Sequence, residues 1–165
     1  MTVDDYAEAA TAVSGDYVAE SQELSFQYQL KVERRVEEIA ESGSDAVLSE
    51  VVGVVRTETT TFLALLGDAI GRYLDVMEGL VPPDAVADAH VDYVAAMASA
   101  HRSLPEMRDA VAATESLEEV ESALAGSRFA DGQPVWLATC LALEGAVRDQ
   151  GQGIDLKCEK AEVAP

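Results

Sequence analysis

Two histidines and two cysteines are the residues of this chain whose side chains most readily do chemistry. His90 and His101 are eleven residues apart, which on a helix puts them on one face but about 16 Å from each other. They therefore cannot bind one metal ion together. One of them could line a ligand pocket with Tyr93 or Met97, or titrate near neutral pH. The alternative, which we favour, is a partly buried histidine that hydrogen-bonds to a threonine or tyrosine of a neighbouring helix.

The motifs that would indicate a cofactor or a catalytic site are missing from the sequence. A carboxylate-bridged di-iron bundle needs a glutamate three residues before each histidine, and the chain has Ala87 and Ala98 at those positions. Cysteine and histidine spacings for haem or zinc, a phosphate-binding loop, an EF-hand loop and a Gly-x-Ser-x-Gly nucleophile are absent as well. We therefore predict no cofactor, no metal and no enzymatic activity.

The placement of the two cysteines allows a disulfide. Cys140 lies in a predicted helix over residues 134–149, and Cys158 follows the glycines at 151 and 153. The helix carries the chain about 14 Å beyond Cys140, and residues 151–158 can return about 23 Å when extended. The spacing is also compatible with two unpaired thiols in a reducing cytosol.

The charge of the chain narrows the choice of partners. It has 31 acidic and 11 basic side chains in 165 residues, a formal net charge of −20. Nucleic acids and anionic membranes are excluded as partners because phosphate binding depends on clustered cations. With 48% apolar residues the chain nevertheless has the composition of a folded domain, and no apolar stretch is long enough to span a bilayer. We predict a single domain over residues 1–158 and a flexible tail over residues 159–165.

Helix-start and helix-stop signals predict five helices. The first begins at a capping box on Thr2 and runs to about residue 42. The second is capped by Ser44 and ends at Gly79. This second segment carries apolar residues at alternating spacings of four and three, which is typical of a long helix packed on antiparallel neighbours. These heptad positions of the second helix are Leu48, Val52, Val55, Thr59, Phe62, Leu66, Ala69, Tyr73, Val76 and Leu80.

Prolines and small polar residues delimit the remaining three helices. The third is predicted to start at Pro83 and to continue to about residue 114 with a kink at Pro105. Ser116 opens a short fourth helix. A long connection over residues 127–133 then leads to a fifth helix that starts at Pro134. The expected fold is an all-α, elongated antiparallel bundle of about five helices, two or three of them long.

Two stretches are also compatible with β-strands. Residues 24–32 alternate between apolar and polar side chains, and residues 51–61 are rich in β-branched residues. We favour helices because no tight hairpin turn separates the two stretches and because the heptad positions run through the second one. An α+β fold stays open as the alternative.

Two further features have both a structural and a functional interpretation. The first helix has a polar middle, from Ser21 to Gln29, which is either a solvated face or one side of a groove for a polar ligand or a partner helix. Trp136 is the single tryptophan, and we expect it in the first turn of the fifth helix as a packing anchor rather than as an exposed binding residue.

The beginning of the chain leaves its compartment open. Residues 1–5 lack the basic and apolar regions of a signal peptide. The chain is therefore expected to be either a cytosolic protein or the mature form of an exported one, preceded in the second case by a possible lipid anchor. Scarce lysine beside many acidic residues also fits a cytosolic protein adapted to high salt.

Three segments together resemble a group of uncharacterised bacterial exported helical domains of the lipoprotein type. A Pro-Pro turn precedes a helix with a histidine at His90 (residues 80–94, LVPPDAVADAHVDYV). A helix with Trp136 and Cys140 (residues 136–143, WLATCLAL) is followed by a Gly-Ile-x-Leu-x-Cys tail at residues 153–158. The resemblance covers roughly residues 80–158, and the chain differs in lacking a leader and a lipobox cysteine.

This resemblance implies export, a helical bundle, a disulfide between Cys140 and Cys158, and no catalytic activity. The function that we predict is a non-enzymatic, extracytoplasmic binding or scaffold domain, for which a protein partner is possible. The alternatives are a bundle that binds a small ligand or a metal on the face formed by His90, Tyr93, Met97 and His101, and the salt-adapted cytosolic protein described above.

Overall fold

The computed structural model describes residues 1–158, and this part of the chain folds into five α-helices without a strand. Their bounds are α1 Val3–Ser42, α2 Val47–Gly79, α3 Ala87–Ala112, α4 Leu117–Ala125 and α5 Arg128–Asp149. The all-α prediction is confirmed, and the α+β alternative is wrong. Residues 24–32 lie in α1 and residues 51–61 lie in α2, because packing outweighs the weak preference of β-branched residues for strands.

The start of α1 and the junction between α1 and α2 lie close to their predicted positions. The Thr2 hydroxyl accepts a hydrogen bond from the Asp5 backbone N–H at 3.1 Å, which completes the capping box of α1. Gly43 ends α1 with a φ of 65°, a left-handed conformation that glycine adopts without strain. Ser44 does not occupy the capping position of α2, which belongs to Ala46, but its hydroxyl accepts from the Ala46 N–H at 3.1 Å.

The third helix starts later than the sequence indicates. Pro83 precedes a separate turn, closed by a hydrogen bond of 2.9 Å from the Val86 N–H to the Pro83 carbonyl, and α3 begins at Ala87. The helix then passes through Pro105 and ends at Ala112. The prediction of a first helical turn at Pro83 is therefore wrong by one turn.

The fifth helix starts earlier than the sequence indicates, so the long connection predicted over residues 127–133 is wrong. Ser127 caps α5 by accepting from the Ala130 N–H at 3.1 Å, and the helix includes Gly132 and Pro134. Trp136 accordingly lies two turns inside α5 rather than in its first turn. Phe129 packs against the core from the first turn of α5, and the burial of its ring favours the helix over a loop.

Neighbouring helices run antiparallel, as contacts between them show. Ser14 and Tyr28 of α1 meet Tyr73 and Thr59 of α2, so numbers rise along one helix as they fall along the other. The same reversal relates α2 to α3 and α3 to α5. The buried apolar residues form one connected cluster to which all five helices contribute. In α1 no residue beyond Val18 is buried, so the second half of this long helix packs mainly against α2.

Most of the predicted heptad positions of α2 face the core. Thr59, Phe62, Leu66, Ala69 and Tyr73 are at most 8% exposed. The prediction fails at the ends, where Leu48 is 79% exposed and Val76 is 48% exposed, while Met77 is fully buried. The reason is that a helix of 3.6 residues per turn drifts by about 20° per heptad. Met77 is eleven residues after Leu66, which is three turns, so the buried face has moved to it by the end of the helix.

A disulfide between Cys140 and Cys158 fixes the described end of the chain to α5, with 5.8 Å between the two Cα atoms. The segment before Cys158 is anchored by its backbone as well. The Leu156 N–H donates to the Glu144 carboxylate at 2.8 Å, and the Asp155 N–H donates to the Thr11 hydroxyl of α1 at 3.2 Å. The predicted tail over residues 159–165 lies outside the described residues.

Candidate functional site

The four residues of the predicted ligand face lie in or beside the core. A hydrogen bond of 2.8 Å joins His90 Nδ1 to the Tyr6 hydroxyl of α1, and His90 is 5% exposed. Tyr93 and Met97 are buried, and half-buried His101 lies beside Gly71, where an added side chain would meet the His101 ring at 3.6 Å. The interpretation of a histidine hydrogen-bonded to a tyrosine of another helix describes His90.

Three further hydroxyl groups, from Ser14, Tyr73 and Tyr93, lie between α1, α2 and α3. Together with Tyr6 and His90 we call them the polar layer. The Tyr73 hydroxyl lies 3.1 Å from that of Ser14 and 2.8 Å from that of Tyr93. Burial raises the pKa of Tyr73 and raises that of Tyr93 well above the usual value, and it raises the pKa of Tyr17 to about 12. Burial also lowers the pKa of His90. Each shift favours the neutral form, so the layer holds the helices together through uncharged hydrogen bonds.

A small cavity lies next to this layer, and Trp136 lines it together with Tyr17, Met97 and Phe129. Its volume of about 20 Å³ is enough for one water molecule. Trp136 is 7% exposed, so the structure places it as a packing residue of the core. Phe129 and Gln133 also line a far larger opening on the side of the bundle that faces α4.

This larger opening is a groove of about 770 Å³ between α1, α2, α4 and the first turns of α5. We call it the α4 groove. It forms because α1 packs against α2 while α4 and α5 pack against α3, and α1 makes few close backbone contacts with α4 or α5. The volume lies in the range of small-molecule sites, about 300–1,000 Å³. The apolar residues that line it are Tyr28, Val55, Phe62, Leu63, Leu66, Met107, Leu117, Val120, Leu124, Ala125, Phe129 and Ala130.

Buried residues of α2 and α3 form the floor of the α4 groove. Phe62, Leu63 and Leu66 come from α2, and Met107 comes from α3. The rings of Phe62 and Tyr28 pack at 5.2 Å between their centroids, and the Tyr28 hydroxyl lies 3.0 Å from that of Thr59. These contacts hold Tyr28 at the edge of the groove with its ring towards the apolar floor.

The short helix α4 forms the opposite wall, and its own caps hold it in place. The Ser116 hydroxyl accepts from the Glu119 N–H at 3.2 Å, and the Glu119 carboxylate accepts from the Glu115 N–H at 2.6 Å. Val120 is buried against the core, whereas Leu117 and Glu121 are exposed. The wall is thus a capped helix that presents one mainly apolar side to the groove.

The sequence predicts only one side of the α4 groove, the side formed by α1. Ser25 and Gln29 of the polar middle of α1 line it, while Gln22, Glu23 and Gln27 face the solvent. The stretch is therefore a solvated face at some positions and one side of a groove at others, and ligand binding there stays a prediction. The apolar lining from α4 and α5 was missed, since these helices come from distant parts of the chain. Among the described residues, the lining of the groove does not include the four residues of the predicted ligand face.

The chain of residues 1–158 has no helix that is long and apolar enough to cross a membrane. In the same residues, no group of three or more histidine, cysteine or acidic side chains is arranged to hold a metal ion. No protein-family model, curated protein or solved structure matches the chain.

Proposed function

We propose that this protein is a non-enzymatic binding domain that holds a small, elongated, mainly apolar molecule in the α4 groove. The observation that carries the proposal is the groove itself, with an apolar floor, a few polar groups at its edges and the volume of a small-molecule site. Burying apolar ligand surface on such a floor contributes about 25 cal/mol per Å². The amides of Gln29 and Gln133 and the Ser25 hydroxyl would orient the polar end of the ligand.

Three of the four histidine and cysteine residues make contacts that stabilise the fold, which supports binding over catalysis. His90 is hydrogen-bonded to Tyr6 in the core, and Cys140 is bonded to Cys158. The disulfide also supports an extracytoplasmic location, because disulfides persist in oxidising compartments. Location and anchoring would be tested by sequencing the cellular form of the protein from its N-terminus and by titrating its thiols without reduction.

The binding proposal is tested with a neutral fluorescent probe. N-phenyl-1-naphthylamine gains fluorescence in apolar sites, and we expect it to bind the full chain at one site. Ala125 is exposed and lines the groove, so Ala125→Trp narrows the site without entering the core. We expect the probe to bind this variant about tenfold more weakly, a loss of about 1.4 kcal/mol.

Ala138→Trp is the matched control. Ala138 is exposed on α5 and lies outside the lining of the groove. It adds the same apolar side chain to the surface, so the probe should bind this variant as it binds the unmodified chain. If both substitutions weaken probe binding equally, or if neither weakens it, the proposal that the groove is the binding site is contradicted.

A further inference from the structure

We infer that the ligand of the α4 groove is an amphiphile with a positively charged head group, which the Glu121 carboxylate receives. This inference rests on the proposed function and adds the chemical class of the ligand. It comes from the charges around the groove, since the apolar floor alone would accept any apolar tail.

The lining of the groove is unbalanced in charge. Glu121 is the single acidic residue among the described residues that line the groove, and this lining contains no lysine, arginine or histidine. Glu121 is exposed on α4, and its carboxylate makes no hydrogen bond or ion pair with any described residue. An anionic head group would meet this carboxylate without a compensating cation, whereas a cationic head group would pair with it.

Three arginines of the neighbouring helices have other partners and form no ion pair with Glu121. The Arg56 guanidinium donates to the Thr114 carbonyl at 2.9 Å. Arg128, at the start of α5, pairs with Glu106 of α3 at 3.7 Å. Arg35 pairs with Glu58 at 2.8 Å. The carboxylate on the groove wall is therefore available to a ligand.

Two further properties favour a cation. Tyr28, Phe62 and Phe129 bring three aromatic rings to the groove, and ring faces attract ammonium groups. The net charge of −20 attracts cations from solution to the whole surface. The aromatic rings act inside the groove, whereas the net charge acts over the whole surface. The test must therefore separate a preference of the groove for cations from a general attraction of cations to the protein.

The test compares three amphiphiles with the same twelve-carbon tail, each below its micelle concentration, by calorimetric titration of the full chain with its disulfide intact. The head groups are trimethylammonium, maltoside and sulfate. We expect the trimethylammonium compound to bind tightest and the sulfate weakest. Glu121→Gln should weaken the trimethylammonium compound about 2- to 5-fold, which is the range for an exposed ion pair. The same substitution should leave the maltoside unchanged.

Glu118→Gln is the matched control, because Glu118 is exposed on the same helix and lies outside the lining of the groove. It removes the same charge and should change the binding of the trimethylammonium compound far less than Glu121→Gln does. Equal effects of the two substitutions would show attraction by the overall charge and would overturn the role of Glu121. Binding of the maltoside without preference for the cation would overturn the inference and leave the proposed function standing. Failure of all three compounds to bind would overturn both.

Discussion

Protonation of His90 is expected to destabilise the fold in mild acid. Burial lowers the pKa of His90, because the core removes the water that would solvate the charged ring. In the unfolded chain the ring titrates near its ordinary pKa of about 6.5 and takes up a proton first as the pH falls. The stabilising contribution is therefore complete above that value, decreases below it, and stops decreasing once the folded ring is also protonated.

The size of this effect follows from proton linkage. If the folded ring stays neutral throughout, lowering the pH from about 7 to about 5.5 reduces the free energy of unfolding by at most about 1.3 kcal/mol. The chain has many other ionisable groups, so the total pH dependence of stability does not isolate His90. The difference between the unmodified chain and His90→Gln does isolate it, since the other groups are common to both.

The assay is urea unfolding at several pH values between about 7 and 5.5. We expect the stability advantage of the unmodified chain over His90→Gln to shrink by up to about 1.3 kcal/mol over this range. Tyr6→Phe is the companion variant. It removes the hydrogen bond but keeps His90 buried, so it should cost about 1–3 kcal/mol near pH 7 and retain the pH dependence. A difference between the unmodified chain and His90→Gln that does not change with pH would refute the reasoning.

Two further predictions concern the disulfide and the buried face of α2. Replacing both Cys140 and Cys158 by serine should lower the free energy of unfolding in urea by about 3 kcal/mol, from the entropy of a loop with a sequence separation of 18; an unchanged midpoint would show that the packed tail supplies the stability alone. Met77→Ala should cost about 2–5 kcal/mol and Val76→Ala less than about 1 kcal/mol, since only Met77 is fully buried; the reverse order in thermal unfolding would show that the strict heptad describes α2.

The sequence predicted the helices most reliably where local and long-range signals agree. The capping box at Thr2, the glycine at Gly43 and the central heptad positions of α2 all describe the structure. It failed where a local signal meets a packing demand. Pro134 and Gly132 indicate a loop, but Phe129 packs against the core and the helix continues through them. The packing of α5 against the core, to which Phe129 and Trp136 contribute, favours the helix against these two local signals, and a single sequence does not show that burial.

The α4 groove could not be derived from local patterns because its walls come from distant segments. Residues of α1 and residues of α4 face each other across it although roughly ninety residues separate them in the chain. The sequence did contain one relevant signal, the polar middle of α1, but the same signal describes a solvated face. Only the position of α4 distinguishes the two, and α4 is placed by the Ser116 cap and by the burial of Val120.

The groove exists because the bundle is closed at one end and open at the other. At the closed end, the tail bridges α5 and α1 through the disulfide, the Leu156 backbone and the contact of Asp155 with Thr11. Tyr17 and Trp136 meet across the small cavity at the middle of the bundle. Beyond Val18, α1 has no buried residue, and Ser25, Tyr28 and Gln29 of its next turns line the groove. The open end therefore leaves an apolar site accessible on a chain whose buried apolar side chains largely form one core.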